Sequence, residues 1–177
     1  MKLYHLLPIV CLPLAACAAD GGMNGRPMAA AGDMTPSTRQ GYVPMAAASD
    51  LYEIQSSQLA VSRAQAPAVR EFAQMMIDHH TQTTAQLTAA ANAAGVPPQP
   101  MLMPMQEQML SELQAAPAGE FERTYIRQQV RAHEMALALH SNYARRGDAA
   151  PLRTVAAAAT PIVQRHLDRA RQLSRGG

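Results

Sequence analysis

Phe121–His140 reads FERTYIRQQVRAHEMALALH, and its spacing decides what kind of fold the chain forms. At 100° per residue, Glu122, Ile126, Gln129, His133, Ala136 and His140 fall on one stripe. Phe121, Tyr125 and Tyr143 run along one edge of it and Leu137 along the other. The period is helical, yet the stripe that must face a core is strongly polar. Pro117 opens this helix and Gly147 follows its last residue, Arg146, so the spacing predicts one long helix between them.

Upstream, Val69–Leu87 (VREFAQMMIDHHTQTTAQL) puts Val69, Ala73, Met76, His80, Thr83 and Leu87 on one face, with His79 toward its border. Pro67 opens that helix. It runs to Ala94 and stops at Gly95, because Pro97, Pro98 and Pro100 forbid continuation. Downstream, a helix from Ala150 to Leu173, with Pro161 as an expected kink, lines up Leu152, Val155, Ala156, Ala159, Val163, His166, Ala170 and Leu173. The first helix starts near Tyr42, with Pro44 in a first-turn position, and continues to about Ala64. Leu51, Ile54 and Val61 form one of its stripes; Glu53, Ser57, Ala60 and Ala64 form a neighbouring small-residue face. Pro104 precedes a short crossover helix, Met105–Gln114.

These segments predict an all-α fold, an antiparallel four-helix bundle over residues 42–175 with an additional crossover helix, and up-down-up-down as its simplest topology. Alanine runs through every long segment, there is no Trp, and 48% of residues are apolar, which favours closely packed helices over a β-sandwich.

Counting from the hairpin turns estimates the depth of each inward polar residue. Glu53 and His80 lie at about one level, roughly 20 Å from the turn near Gln65, and His133 and His166 differ by about 4.5 Å of rise. A mid-bundle cluster is therefore geometrically available. Buried imidazoles and a carboxylate need partners, which a metal ion or a mutual hydrogen-bond network would provide. Nitrogen-rich ligands suit iron, copper or zinc better than magnesium or calcium.

Before the bundle, Leu3–Leu14 is an apolar run after Lys2, too short to span a bilayer as a permanent helix, and it reads as a signal peptide over residues 1–16. Its end, Leu14-Ala15-Ala16-Cys17, resembles a bacterial lipobox, which implies diacylglycerol on Cys17. Cys11 would leave with the leader, so no free thiol would enter an oxidising compartment. Ala18 after the cysteine suggests the outer membrane, facing the periplasm. Each buried acyl methylene is worth about 0.8 kcal/mol, so the lipid alone would anchor the protein. Residues 17–41, rich in Gly, Ala, Met and Pro, read as a disordered tether.

The formal charge is +2, and without Lys2 fourteen Arg face thirteen acids, so nucleic acid is not an expected partner. Arg165, Arg169 and Arg171 alternate with Asp168 on a solvated face.

Four segments, YVPMAAASDLYEIQSSQLA, VREFAQMMIDHHTQTTAQL, FERTYIRQQVRAHEMALAL and LRTVAAAATPIVQRHLDRA, together resemble the bacterial family catalogued as domain of unknown function 4142. The resemblance rests on Glu53 and Ile54; on Phe72, Ala73, Met76 and His80; on Phe121, Tyr125 and His133; and on Pro161 with His166. It implies a ferritin-like bundle in an outer-membrane protein, and brings no established activity. His79 stands where the family has an acid, Glu122 is the acid after Phe121, and Thr160 replaces a leucine. The paired Glu-x-x-His motifs of di-iron ferritins are missing, since Ile77 and Val163 stand three residues before His80 and His166.

Two functions follow. One is a metal-binding envelope lipoprotein, with stress-protective chemistry, using His80, His133 and His166 with Glu53 or Glu122 as ligands. The alternative is a non-enzymatic envelope module whose metal-free polar core fixes helix register while its surface binds a protein or cell-wall partner. A narrower copper reading adds the thioethers of Met101, Met103, Met105, Met109, Met75 and Met76 to His79 and His80, against a plain packing role. Ser49, Ser56 and Ser57 lack the context of a hydrolase nucleophile, and no catalytic residue is assigned.

Overall fold

The computed structural model describes residues 35–176. The leader, Cys17 and residues 17–34 of the expected tether lie outside that range. The described residues form five helices: α1 (Arg39–Arg63), α2 (Pro67–Ala93), α3 (Pro104–Ala115), α4 (Ala118–Arg146) and α5 (Ala150–Gly176). Among them no helix is long and apolar enough to cross a membrane.

Helix α1 begins three residues before Tyr42, and Pro44 sits inside it rather than in its first turn. Thr38 caps the helix by accepting from the Gly41 amide. Pro44 removes the hydrogen bond that the Gln40 carbonyl would accept, but both residues are exposed, where solvent offsets the loss. Residues 35–41 belong to the bundle rather than the tether: the Asn142 amide donates to the Thr35 carbonyl, and the Asp148 amide to that of Ser37. In α5, Pro161 and the Ala157 carbonyl it frees also face solvent.

Two apolar clusters occupy the ends of the bundle. One joins Tyr42, Ala46, Leu87, Ala91, Leu139, Tyr143, Leu152 and Ala156. The other joins Ala60, Val69, Phe72, Met76, Leu113, Phe121, Tyr125 and Ala170. Each long helix contributes to both, and the order of its contributions gives its direction. Helices α1 and α5 run from the first cluster to the second, and α2 and α4 run the other way. Helix α1 packs on α2 and α4, and α5 packs on the same two, so every adjacent pair is antiparallel.

The simple up-down-up-down expectation is therefore wrong. Helix α4 starts at the same end as α2, because the segment containing α3 travels back along the outside of α1 and α4. Met109 packs with Tyr52 and Ala132 partway along, and Leu113 reaches the second cluster. One long crossover of this kind characterises ferritin-like bundles. Arg63 fixes its end by donating to the carbonyls of Leu113, Gln114 and Ala116 while its guanidinium lies 4.2 Å from the Phe121 ring centre.

The buried face of α1 is the small-residue one. Ser57, Ala60 and Ala64 are buried with Glu53, whereas Leu51, Ile54 and Val61 are half-buried. Small side chains let α2 and α4 approach closely, and larger ones then cover the rim. At the α2 terminus Gly95 takes the left-handed conformation (φ 74°), with its amide bonded to Asn92 and that of Val96 to Ala91.

Candidate metal centre

Between the two apolar clusters lies a polar layer. On α1 it holds Asp50, Glu53, Ser56 and Ser57, all buried; on α2, His80; on α4, Gln129 and His133; on α5, His166. Helical periodicity puts each on the inward stripe of its own helix, and the crossover brings the four stripes to one level.

His80, His133 and His166 are 4%, 1% and 2% exposed, and one ring nitrogen from each lies within 4.8 Å of one from each of the others. Their ring centres form a near-equilateral triangle with sides of 5.7, 5.4 and 5.3 Å. Each ring is held through one nitrogen. His80 Nδ1 meets Asp50 Oδ1 at 2.8 Å, His133 Nδ1 donates to the Gln129 carbonyl at 2.8 Å, and His166 Nε2 meets His79 Nδ1 at 2.8 Å. The other nitrogens, His80 Nε2, His133 Nε2 and His166 Nδ1, are buried and have no protein hydrogen-bond partner.

Glu53 lies beside the triad. Its Oε1 is 3.7 Å from His133 Nδ1, and its Oε2 is buried without a protein partner. Glu122 does not join the site. Its Oε1 accepts from the amides of Gln65 and, at 2.7 Å, Ala66, tying the start of α4 to the α1–α2 turn. The stripe that carries Glu122 extends nearly two turns beyond Gln129 to the end of the bundle, where unpaired turn amides attract a carboxylate.

Sequence reasoning missed Asp50. Its Oδ1 also accepts from Thr83 Oγ1 (3.1 Å), and its Oδ2 from Thr84 Oγ1 (3.2 Å). The available signal was the three-residue spacing from Glu53, which puts both acids on one face of α1. His79 was assigned to a border position; its bond to His166 makes it the outer support of the triad.

Burial dominates the electrostatics. It pushes the His133 imidazole down to about 3 and that of His166 to about 2, with the His80 charge adding to both effects. Burial also opposes charging of His80, but hydrogen bonding and charge from Asp50, with help from Glu53, outweigh it and raise that group. Glu53 rises to about 7 through burial, against the lowering influence of His80 and Gln129. The layer thus presents two neutral imidazoles, one imidazole paired with a carboxylate, and a second carboxylate reluctant to ionise.

The methionine set does not assemble around these histidines. Met76, with Met75 against it, belongs to the apolar cluster of Phe72 and Tyr125, and Met109 packs against Tyr52. Met101 is 73% exposed on the crossover, and Met105 accepts from Arg131 Nη2.

Two solved structures share the fold. CopM in the Cu(II)-bound form superposes with a TM-score of 0.68 over 81% of this chain and 99% of its own, at 19% sequence identity. A DUF305 fragment from Deinococcus radiodurans does so with a TM-score of 0.69 over 81% and 98%, also at 19% identity. A search of curated proteins returns no match. The sequence matches the family model described as Domain of unknown function (DUF4142) over residues 24–173, which spans all four helices that build the polar layer, and the chain belongs to that family.

Proposed function

We propose that this protein binds one transition-metal ion through His80, His133 and His166, and that it does so at the cell envelope, tethered by lipid on Cys17. The observation that carries the reading is the set of three buried ring nitrogens without protein partners, presented by rings whose opposite nitrogens are each anchored. Histidine ligands of metal sites characteristically use the second nitrogen in this way, which sets tautomer and orientation. Metal–nitrogen bonds of about 2.0–2.1 Å bring paired donors to about 3.4 Å, so nitrogens already within 4.8 Å need only small ring rotations.

Charge supports the same reading. A divalent ion among three neutral imidazoles is balanced by Asp50 and Glu53, which supply two buried carboxylates within the layer. A metal-free polar core leaves those ring nitrogens, Glu53 Oε2 and Gln129 Oε1 without protein partners, at about 1–3 kcal/mol for each such group. Three imidazoles suit copper, zinc or iron. Copper is the first of these to test, since a neighbour of the same fold is described in a Cu(II)-bound form. Two carboxylates, one of them already tied to His80, are too few for a carboxylate-bridged di-iron centre, which draws one from each of four helices. Sequestration of an excess metal ion at the envelope is the role this chemistry serves.

The test is elemental mass spectrometry on the full chain, purified without a metal-chelating tag, beside a His133→Ala variant whose helicity is checked by circular dichroism. About one metal per chain, lost in the folded variant, is the expected result. Absence of metal after incubation with copper, zinc and iron would refute the proposal. Acyl chains on the mature N-terminal peptide, read by mass spectrometry, check the anchor; an unmodified Cys17 thiol would reject it.

A further inference from the structure

A triad this deeply buried needs a route for its ion, and its three anchors differ in where they lead. His133 is held by a backbone carbonyl of its own helix, and His80 by a buried carboxylate. His166 alone of the three is held by a side chain that is only half-buried, His79. The two rings lie nearly parallel, at 12°, with centres 5.1 Å apart, across the seam between α2 and α5.

Directly outside lies a surface cavity of about 240 Å³ lined by His79, Gln82, Thr83, Gln86, Ile162 and Arg165. Two of those residues connect it to the buried layer: His79 bonds to His166, and Thr83 donates to Asp50. Gln82 and Gln86, one turn apart on α2, also line the cavity, and a glutamine side chain can offer its amide oxygen as a weak donor. The Arg165 guanidinium repels cations, so capture here depends on ligation rather than on field attraction.

We propose that metal enters and leaves the triad through the α2–α5 seam, with His79 as the entry ligand that captures the ion in this cavity and passes it to His166. The inference rests on the metal-binding reading and adds a route and a residue to it. His79 Nδ1 and His166 Nε2 are already in hydrogen-bond contact, so transfer of an ion from the outer ring opens that bond and turns the His166 ring, whose Nδ1 is the nitrogen without a protein partner. No other helix has to separate from the bundle for this transfer.

The experiment mixes Cu(II) with the metal-free full chain in a stopped-flow spectrometer, follows the ligand-field absorption, and then measures release into excess chelator. The wild type is compared with His79→Leu, which keeps the bulk of the ring but cannot ligate, and with Arg165→Gln. His79→Leu is expected to slow loading by about tenfold or more with stoichiometry at saturating copper retained, while loss of the anchor on His166 weakens equilibrium affinity by about 10–100-fold, so the loading rate is the readout that separates entry from anchoring. Arg165→Gln is expected to load severalfold faster at low salt, and the gain to vanish at high salt.

Unchanged rates in His79→Leu would overturn the route, and so would faster loading, which would make the imidazole a plug. Weaker affinity caused by faster release with normal loading would also overturn it, leaving His79 as an orienting partner of His166. If His79→Leu does not fold, the salt-dependent response of Arg165→Gln decides the matter, and its absence refutes the route. No loading in the wild type would instead defeat the metal-binding reading itself.

Discussion

Asp50→Asn probes the charge that organises the polar layer without removing the shape that holds it. The asparagine keeps Oδ1, which accepts from His80 Nδ1 and Thr83 Oγ1, and places an amide nitrogen against Thr84 Oγ1. What is lost is the negative charge behind those bonds. Hydrogen bonds to a charged group are worth about 1.5–3 kcal/mol against about 0.5–1.5 kcal/mol for neutral ones. Loss of the carboxylate's own desolvation penalty offsets part of the difference.

The pH dependence supplies the sharper signature. His80 is raised in the folded protein, so its pairing with Asp50 stabilises the fold fully below the unfolded value of about 6.5, and that stabilisation fades as pH rises through the folded value. In the variant the raising influence of Asp50 is gone, burial prevails, and the imidazole is neutral. The substitution should therefore cost about 3 kcal/mol near pH 6 and less near pH 9, as the pairing fades. Near pH 6 this corresponds to a fall in melting temperature of about 10 °C for a domain of this size. Urea denaturation of chelator-treated protein at the two pH values measures both costs. A loss below about 0.5 kcal/mol near pH 6, or one that grows with pH, would show that Asp50 and His80 are not coupled as the geometry requires.

His140, bonded to Tyr42 Oη at 2.9 Å, is held down to about 4 by burial. Between about pH 6.5 and 4 the unfolded chain takes up a proton that the folded one refuses, so metal-free stability falls with pH by up to about 3 kcal/mol from this group. Glu53, raised to about 7, acts in the opposite sense, so comparison of His140→Gln with wild type isolates the histidine; identical slopes in acid denaturation would contradict it. Glu122→Ala removes the acceptor of two turn amides and should cost about 1–2 kcal/mol in chemical denaturation, with Glu122→Gln losing less and metal stoichiometry unchanged in both. Loss of metal in a folded Glu122→Ala chain would return that residue to the site.

The existence, type and approximate ends of the helices were legible in the sequence because their signals are local. Pro67, Pro104, Gly95 and Gly147 punctuate the chain, and a 3.6-residue period assigns His80, His133 and His166 to inward stripes. The start of α1 was misjudged because Pro44 looks like a helix opener, whereas the Thr38 cap and the bonds from Asn142 and Asp148 that order residues 35–37 depend on distant residues. The same dependence hid which face of α1 is buried: alanine and serine carry little hydrophobic signal, and only close packing of neighbouring helices favours them over Leu51 and Ile54.

Topology and the membership of the polar layer follow from how the helices pack. Periodicity says which way a residue points from its own helix axis but not which helix it meets, and the path of α3 along α1 and α4 set the direction of α4. That path places His133 level with His80 and His166 and sends Glu122 to the far turn. Asp50, Glu53 and Glu122 are all acids on or beside inward stripes, and the partner facing each one separates support, neighbour and cap. Periodicity alone assigns the imidazoles to the interior of a helical bundle. Their convergence into one layer, with a ring nitrogen of each near those of the other two and one nitrogen of each tied back, is a property of helices packed at a particular level.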